Sequence, residues 1–432
     1  MKMDRRGFIG AAAAATLAQS LPSWAQQAAK GAAHPLAGKK LPAWKRGSMR
    51  ITIHYTGRSE STFAILPDST SLLIDCGEYV YRDGAGANRQ MPFAPKGLTA
   101  GEAICRSILR DNPNGKKVDY FVLTHYHSDH AGSLKCGIGP WPRAKGGKGG
   151  YAVCGMGRAI EMLDFGTMID RSWPDMNDPA VRAPDFDDGT PAHAKAVYEE
   201  AAGRGIKVER FRLEKGSDQI RPLHGGFEGF GYTPLCARGL VLKRDGSVLD
   251  LGGPGFHGGR LPRSKFPENP LSVGFVLSYG DFRYYTAGDF EDPAFEDALA
   301  AECPRVDVAK CNHHATNTMS VNLVKALDAS LWLTGGCWHP AHTGRSSMRR
   351  MNAGWRPGSV VAPGFFPVKR RKEDAAEPWL GNLAKECFKP CHTVVDVAPG
   401  GASYTLAMVD ASVEDGLVLG AYDFKTTRKE KA

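Results

Sequence analysis

The feature that most restricts the fold of this chain is a cluster of metal-ligating side chains placed directly after a buried strand. Residues 118–123 (Val-Asp-Tyr-Phe-Val-Leu) form a mostly apolar run, which is typical of a strand covered on both faces. The sequence Thr-His-Tyr-His-Ser-Asp-His occupies positions 124–130 immediately afterwards. In α/β sheets, ligand sites lie beyond the carboxyl ends of the strands. The sequence therefore predicts an α/β fold with its functional site at the end of this strand.

The spacing inside the cluster predicts two neighbouring metal positions. Alternation along an extended segment sends His125 and His127 to the same side. A turn then allows Asp129 and His130 to reach a second point close by. Two imidazoles would serve one ion, and a carboxylate with an imidazole would serve its neighbour. Borderline metals such as zinc favour this mixture of ligands.

Hydrophobic periodicity outlines the other elements, and residues 48–425 are predicted to form one large domain. Strands are predicted at 50–55, 62–66, 71–75, 271–278, 282–286, 306–311 and 331–334, with more strands within 393–425. Helices are predicted at 99–111, 191–204 and 292–301. Residues of about 137–265 are the least regular and are predicted as an insertion. Residues 356–378 are predicted as a basic, proline-rich loop.

The first 25 residues resemble an export signal. Arg5-Arg6 precedes an apolar run at 10–17, and Ser23-Trp-Ala25 offers small residues before a cleavage point. The paired arginines resemble the twin-arginine type, so we expect delivery by the twin-arginine export machinery to the periplasm or the exterior. An uncleaved anchor is the alternative, although the apolar run is too short to span a bilayer stably, and no later stretch is suitable. Residues 26–47 are predicted as a linker.

Composition excludes few functions. Hydrophobic content of 42% and charged content of 23% are those of an ordinary globular protein. The net charge of +9 is compatible either with an anionic small-molecule substrate or with a basic surface that has no partner. The ten cysteines include no Cys-x-x-Cys pair, so a zinc ribbon is not expected and most are predicted to be buried thiols. Nucleic acid is not favoured, because Lys369-Arg-Arg-Lys372 lacks interleaved aromatic residues.

Four motifs in order resemble the metallo-β-lactamase superfamily. The cluster at 124–130 matches its His-x-His-x-Asp-His signature, and Leu73-Ile-Asp-Cys-Gly77 is similar to its first motif, whose Asp supports the histidine loop. Thr286-Ala-Gly-Asp289 resembles the Asp that bridges both metal ions, and Lys310-Cys-Asn-His-His-Ala315 resembles the late His motif. The resemblance covers about residues 49–345. It implies an αββα sandwich of two mixed β-sheets flanked by helices.

The resemblance also implies the ligands and the cofactor. We expect two zinc ions, with manganese or iron as alternatives, held by His125, His127, Asp129, His130, Asp289 and His314. Asp289 would bridge the ions, and Asp129 would orient a metal-activated hydroxide. Of the late histidine pair, His314 is favoured as the ligand. His313 is then expected to contact a substrate oxygen or to support the site from behind, so the residues predicted to take part in catalysis are Asp129, Asp289 and His313.

A subgroup resemblance narrows the function and exposes a missing ligand. Residues 53–75 and Asn269-Pro-Leu-Ser272 look like the hydrolase domain of ComEC-type competence proteins, although Gly57-Arg-Ser-Glu60 replaces that subgroup's Gly-x-Gly-Asp. The superfamily's Gly-His-x-x-Gly-His motif does not occur between positions 129 and 289. The third imidazole of the first metal is therefore unassigned. His224, before Gly225-Gly226, is the preferred candidate, with these residues weighed beside it: His257 in a glycine-rich loop as the next candidate, His193 as a surface residue, and His339 and His342 as cleft-wall or structural residues.

The resulting hypothesis is an exported metal-dependent hydrolase that uses a metal-activated hydroxide. Phosphoester or phosphodiester cleavage is the preferred reaction, because the subgroup that the chain resembles includes phosphodiester-cleaving enzymes and because the chain is basic. Ester, lactone or β-lactam hydrolysis is the first alternative. An iron-dependent redox protein of the same fold and a binding protein without turnover are alternatives from other classes.

Overall fold

The strands of the computed structural model assemble mainly into two large sheets. The structure describes residues 33–57, 59–78, 95, 97–134, 143–144, 150–176, 189–253, 256, 262–335 and 344–426. In chain order, the described strands are β1 (Met49–Ile53), β2 (Thr62–Ile65), β3 (Ser71–Ile74), β4 (Lys117–Leu123), β5 (Arg143–Ala144), β6 (Tyr151–Ala152), β7 (Asp164–Asp170), β8 (Lys207–Arg210), β9 (Phe230–Ala237), β10 (Leu240–Leu242), β11 (Val248–Asp250), β12 (Gly274–Tyr279), β13 (Phe282–Thr286), β14 (Val308–Lys310), β15 (Leu331–Leu333), β16 (Val360–Ala362), β17 (Cys391–Val397), β18 (Ser403–Asp410) and β19 (Val418–Lys425).

Short helices connect many of these strands. The described α-helices are α1 (Ala100–Asp111), α2 (Ser128–Ala131), α3 (Met156–Met162), α4 (Thr190–Gly203), α5 (Pro293–Glu302), α6 (Val321–Leu327), α7 (Arg345–Gly354) and α8 (Val368–Glu373). Local sequence sets their ends. The Thr99 hydroxyl accepts a hydrogen bond from the Glu102 amide at the start of α1, and Asn112-Pro113 follows its last residue.

Both large sheets are mixed, with antiparallel and parallel halves. The first has the order β19-β18-β17-β1-β2-β3-β4-β7-β8, and it becomes parallel from β3 onward. The second has the order β11-β10-β9-β12-β13-β14-β15-β16, and it becomes parallel from β13 onward. Parallel strands that neighbour one another end at the same edge, so the loops after β3 and β4 lie together, as do those after β13 and β14.

The packing of side chains shows a four-layer arrangement. Tyr120 and Val122 of β4 share a core with residues of the second sheet such as Phe275, so the two sheets pack face to face. Phe121 of the same strand points the other way, into a core shared with α1, α3 and α4. Residues of α5, α6 and α7 cover the second sheet from outside. The predicted αββα sandwich is therefore confirmed, and no described helix has the length and apolar character to cross a membrane.

The segment before β1 packs more closely against the fold than its predicted linker character implies. All five residues of β1 are buried, including the polar Arg50. Arg50 pairs with Asp396 and donates to the Pro42 carbonyl, which places it under the segment before β1. Described residues of the predicted linker thus contact the fold, and Lys40 forms a β-bridge with Leu417.

The predicted insertion supplies β7 and β8 to the first sheet and β9, β10 and β11 to the second. The predicted basic loop at 356–378 contains β16 and α8. Arg370 of α8 is buried because it pairs with Asp374 one turn later, so this basic stretch is not a fully solvated loop. Each of the eight described cysteines is buried and unbridged, as expected for most of the ten.

Candidate metal centre

The histidine loop is anchored to the end of the neighbouring strand. Asp75 directly follows β3, and its carboxylate accepts hydrogen bonds of 2.8 Å from both the amide and the hydroxyl of Thr124. His127 is the N-cap of α2, a single turn in which the amides of His130 and Ala131 both donate to the His127 carbonyl. Gly77 lies against this turn so closely that a Cβ atom there would lie 1.6 Å from the carbonyl oxygen of Asp129. The loop therefore has little room to move.

The first group of candidate ligands consists of His125, His127 and Asp289. Their ligand atoms all lie within 4.8 Å of one another. His125 Nε2 is 3.0 Å from His127 Nδ1 and 3.9 Å from Asp289 Oδ2. Burial lowers the pKa of His127 to about 4 and that of His125 well below its ordinary value. Both imidazoles are therefore neutral near pH 7, the form that binds metal.

The second group consists of Asp129, His130, Asp289 and His314, again within 4.8 Å of one another. His130 Nε2 is 3.2 Å from Asp289 Oδ1, and His314 Nε2 is 3.5 Å from Asp289 Oδ2 and 3.6 Å from Asp129 Oδ2. Asp289 follows β13 and His314 follows β14, whereas the other members follow β4. The two groups therefore meet at Asp289, between the edges of the two sheets.

A carboxylate stands behind both histidines of the second group. Asp75 Oδ2 is 2.8 Å from His130 Nδ1, and Glu60 Oε2 is 3.0 Å from His314 Nδ1. Burial opposes protonation of His130, but Asp289 and Asp75 outweigh it and hold its pKa well above the ordinary value. In Asp289, burial favours the neutral acid, but His130, His314 and His313 outweigh it and hold the pKa well below the ordinary value. Asp289 is therefore ionised and can compensate a cation.

These residues fit a pair of divalent ions. Asp289 Oδ1 and His130 Nε2 are buried and, within the described residues, have no hydrogen-bond partner of good geometry. A buried polar atom in that state is expected where a cation takes its lone pair. The mixture of imidazoles and carboxylates is the donor set that zinc and related borderline metals take. The outer carboxylates fix which nitrogen of each histidine faces inward.

The late histidine pair has an unusual backbone. His313 and His314 have φ angles of 43° and 51°, which lie in the left-handed region, and Ala315 follows at 61°. The carboxylate of Glu296 holds the loop around them through the amides of Met319 and Ser320 at 2.9 and 2.7 Å. Strained backbone of this kind is found at sites whose surroundings over-determine it.

Sequence reasoning missed three charged residues that contact the cluster. Glu60 lies at the position where the resemblance expects an Asp, which was the available signal, and Lys310 Nζ is 3.7 Å from it and 4.0 Å from Asp289 Oδ1. Glu291 Oε2 is 2.7 Å from His313 Nδ1. Nothing in the sequence pointed to Glu291, since it lies two residues beyond Asp289 in a connecting segment.

A buried ion pair supports the loop from behind. Glu268 accepts the Tyr126 amide at 2.8 Å and pairs with Arg171 through both carboxylate oxygens. The Arg171 guanidinium also lies 4.1 Å from the centre of the Tyr126 ring. Tyr126 is the residue between His125 and His127, so this pair fixes the backbone that carries the first ligand group.

The remaining histidines are placed away from the cluster or are not described. His224 Nε2 is 3.1 Å from Asp119 Oδ2, near the amino end of β4 and so at the opposite end from the histidine loop. The structure therefore does not bring His224 to the other predicted ligands. His193, predicted to be on the surface, is fully buried against α3 and Tyr151, and that prediction was wrong. Three others lie outside the described residues: His257, His339 and His342.

Residues 55–135 match the family model of the metallo-beta-lactamase superfamily, and this segment contains Asp75 and the histidine loop. No curated protein matches the chain. Among solved structures, the chain is similar to the crystal structure of a "Putative metal-dependent hydrolase" from Parabacteroides distasonis ATCC 8503. The identity is 15% and the TM-score 0.31, over 76% of this chain and 98% of that chain. The two mixed sheets with flanking helices are those of the metallo-β-lactamase fold.

Proposed function

We propose that this chain is a metal-dependent hydrolase with a two-metal centre, and that its substrate is a phosphoester or phosphodiester. The observation that carries the proposal is the sharing of Asp289 by two groups of imidazole and carboxylate ligands. Resemblance to the ComEC-type subgroup and the net charge of +9 favour a phosphorylated substrate.

Each residue of the two ligand groups would have a role that follows from its position. His125 and His127 would hold one ion, His130 and His314 with Asp129 the other, and Asp289 would contact both. When bound, such ions lower the pKa of water and stabilise charge on the attacked oxygen. Asp129 is the ligand carboxylate with the more open side chain, so it is placed to orient the attacking water. Asp75 and Glu60 keep the inward nitrogens of His130 and His314 in place.

The test is a parallel screen of zinc-loaded protein against bis-(p-nitrophenyl) phosphate, a p-nitrophenyl ester and a β-lactam. We expect turnover of the phosphodiester, with its loss in His127→Ala and in Asp289→Ala. His224→Ala is the matched control, since its side chain contacts Asp119 at the other end of β4, and it should keep full turnover. Turnover that survives both ligand changes contradicts the site.

The same screen separates the alternatives. Activity on the ester or the β-lactam alone would replace the phosphoester assignment, although the missing Gly-His-x-x-Gly-His motif counts against the usual β-lactamases and lactonases. Protein that purifies with two irons would instead favour the redox alternative. Zinc and manganese can be distinguished by measuring which ion restores activity to chelated protein.

We further propose export through the twin-arginine route, on the basis of Arg5-Arg6 and the apolar run behind them. Cell fractionation of the full chain and of the Arg5→Lys/Arg6→Lys variant provides the test. The wild-type chain is expected in the periplasm or medium and the variant in the cytoplasm. Equal distribution of the two contradicts the route.

A further inference from the structure

The hairpin turn between β9 and β10 contains an arginine at a position that is unfavourable for its backbone. Arg238 and Gly239 form this two-residue turn, with φ angles of 57° and 68°. A hairpin turn with positive φ at both positions normally has Asn, Asp or Gly first, because these residues adopt that conformation at little cost. A strained residue of this kind indicates that its side chain has a role. The role lies in the guanidinium, since asparagine would suit the turn itself better.

The Arg238 guanidinium lies at the same edge of the first sheet as the histidine loop. Its Nη1 atom donates to the carbonyl oxygens of Arg171 at 2.7 Å and of Phe211 at 3.1 Å. These two residues directly follow β7 and β8, and β4, β7 and β8 are parallel neighbours in that order. Adjacent strands are about 4.8 Å apart, so the guanidinium lies roughly 5–10 Å along this edge from the end of β4. A substrate bound at the metal centre can therefore extend to Arg238.

Arg238 has a positive charge that the described residues around it do not neutralise. Its three neighbouring arginines each pair with an acid: Arg171 with Glu268, Arg210 with Asp175, and Arg263 with Asp250. Within the described residues, Arg238 has no carboxylate partner, and its Nε and Nη2 atoms have no acceptor. Burial and the charges of these neighbouring arginines lower the pKa of Arg238 to about 10, and Asp170 only partly offsets them. The guanidinium is therefore charged near pH 7, and two of its nitrogens can bind an anion through parallel hydrogen bonds.

We propose that Arg238 binds a second anionic group of the substrate, with Arg210 and Arg263 adding positive charge around it. The substrate is then a phosphoester with a carboxylate or a further phosphate roughly 5–10 Å from the bond that is cleaved. Arginine suits this role better than lysine, because its planar fork matches both groups. The cleavage part of the proposal rests on the proposed function, whereas anion binding by Arg238 does not depend on bound metal.

The test compares p-nitrophenyl hexyl phosphodiesters whose hexyl chain ends in a methyl group, a carboxylate or a phosphate. Arg238→Asn removes the guanidinium and keeps a residue that accepts the positive φ. Arg244→Asn is the matched control, since it removes the same charge from an exposed residue beyond the other end of β10. In the zinc-loaded wild type and control, KM should be lower for a charged chain end than for the methyl end. Arg238→Asn should raise that lower KM by about 10–100-fold and leave the methyl-ended substrate nearly unchanged. A purely structural role would change all three substrates alike.

Binding of inorganic phosphate to zinc-free protein tests the anion site without turnover. Calorimetry should show binding to the wild type and to Arg244→Asn, with a Kd about 10-fold higher or more in Arg238→Asn. Should Arg238→Asn fail to fold by circular dichroism, Arg238→Lys keeps the charge without the fork and should bind phosphate more weakly than the wild type. Equal KM values of the wild type for the three substrates, or equal phosphate affinity with and without the guanidinium, would overturn the proposal. Phosphate binding that depends on Arg238, with no turnover of any phosphodiester, would support the anion site and contradict the proposed function.

Discussion

At the scale of single residues, the candidate centre depends on buried acids that compensate buried imidazoles. Asp75, His130, Asp289 and His314 are each almost completely buried. Burying an isolated charge is costly, so such groups occur where partners or a metal ion compensate them. Each acid here either contacts a histidine or faces the point where the two ligand groups meet. Removing one outer carboxylate is therefore expected to weaken metal binding.

The substitution Asp75→Asn is expected to weaken the second metal position. The change removes the negative charge behind His130 Nδ1 and allows the wrong ring nitrogen to carry the proton. Zinc affinity at one site should fall by about 10–100-fold, while the other site changes less. Titration calorimetry of the two sites measures this. Asp68→Asn is a control outside the centre, since Asp68 caps the turn before β3. Equal zinc affinities in Asp75→Asn and the wild type would contradict the supporting role of Asp75.

The substitution Gly77→Ala is expected to displace the histidine loop. An added Cβ would lie 1.6 Å from the Asp129 carbonyl oxygen and 2.2 Å from its carbon, so backbone must move. We expect loss of bound metal and of turnover, with circular dichroism showing that the two sheets persist. Gly97→Ala is a less informative comparison because its φ is positive, whereas Gly381→Ala has open space around it and should behave as the wild type. Full metal content in Gly77→Ala would contradict the close approach.

The sequence predicted the residues of the cluster that are close together in the chain or end a recognisable strand. His125, His127, Asp129 and His130 are contiguous, and Asp289 and His314 follow strands with clear patterns. Glu60 reaches His314 only because the two sheets pack against each other, and no local pattern encodes that contact. His224 illustrates the same limit, since its neighbouring glycines do not indicate at which end of β4 it lies.

At the scale of elements, segments from the middle of the chain support the histidine loop. Arg171 follows β7, and Glu268 precedes β12, so their buried pair joins the two sheets behind Tyr126. This region was predicted as an insertion because β7 mixes Asp, Gly and Thr with apolar residues, and β9, β10 and β11 show no clear period. Strands with strong patterns, such as β3 and β4, were predicted within one residue of their observed ends.

The substitution Arg171→Met should destabilise the fold strongly. It leaves Glu268 buried without its counter-charge, and breaking a buried pair on one side costs about 3–5 kcal/mol of unfolding free energy. The double variant Arg171→Met/Glu268→Gln should lose less than the single Arg171→Met change, because no uncompensated charge remains. Chemical denaturation of the two variants and the wild type measures the difference. A double variant less stable than Arg171→Met alone would show that the pair contributes mainly through its shape and hydrogen bonds.

At the scale of the whole molecule, the stability of the first sheet should depend on pH through two buried histidines. Burial lowers the pKa of His392 to about 4 and that of His54 well below its ordinary value. His392 Nδ1 accepts the Tyr55 amide at 3.0 Å, which requires the neutral ring. In the unfolded chain these residues titrate near 6.5. Between those values the unfolded state binds more protons, so this contribution is complete above pH 6.5 and is lost toward pH 4.

The substitution His392→Asn isolates that effect. Asparagine keeps an acceptor for the Tyr55 amide but cannot be protonated in this range. We expect the wild type to lose about 1–3 kcal/mol more unfolding free energy than the variant between pH 7.5 and 4.5. Denaturation at several pH values measures the difference, and contributions shared by both proteins cancel. Parallel pH profiles for the two proteins would show that His392 titrates as it does in the unfolded chain.

Metal ions at the proposed centre should stabilise the whole sandwich, because their ligands come from both sheets. His125, His127, Asp129 and His130 follow the first sheet, while Asp289 and His314 follow the second. A ligand bound only to the folded state stabilises it by about 4 kcal/mol at a thousandfold excess over its Kd. Chelation should therefore lower the Tm by roughly 5 °C, since an unfolding entropy of about 2.1 cal/mol/K per residue gives a chain of 432 residues a shift of about 1 °C per kcal/mol, and added zinc should restore it. In Asp289→Ala, chelator and zinc should both leave the Tm nearly unchanged. A wild-type Tm that changes with neither reagent would show that a shared ion does not contribute to the packing of the two sheets.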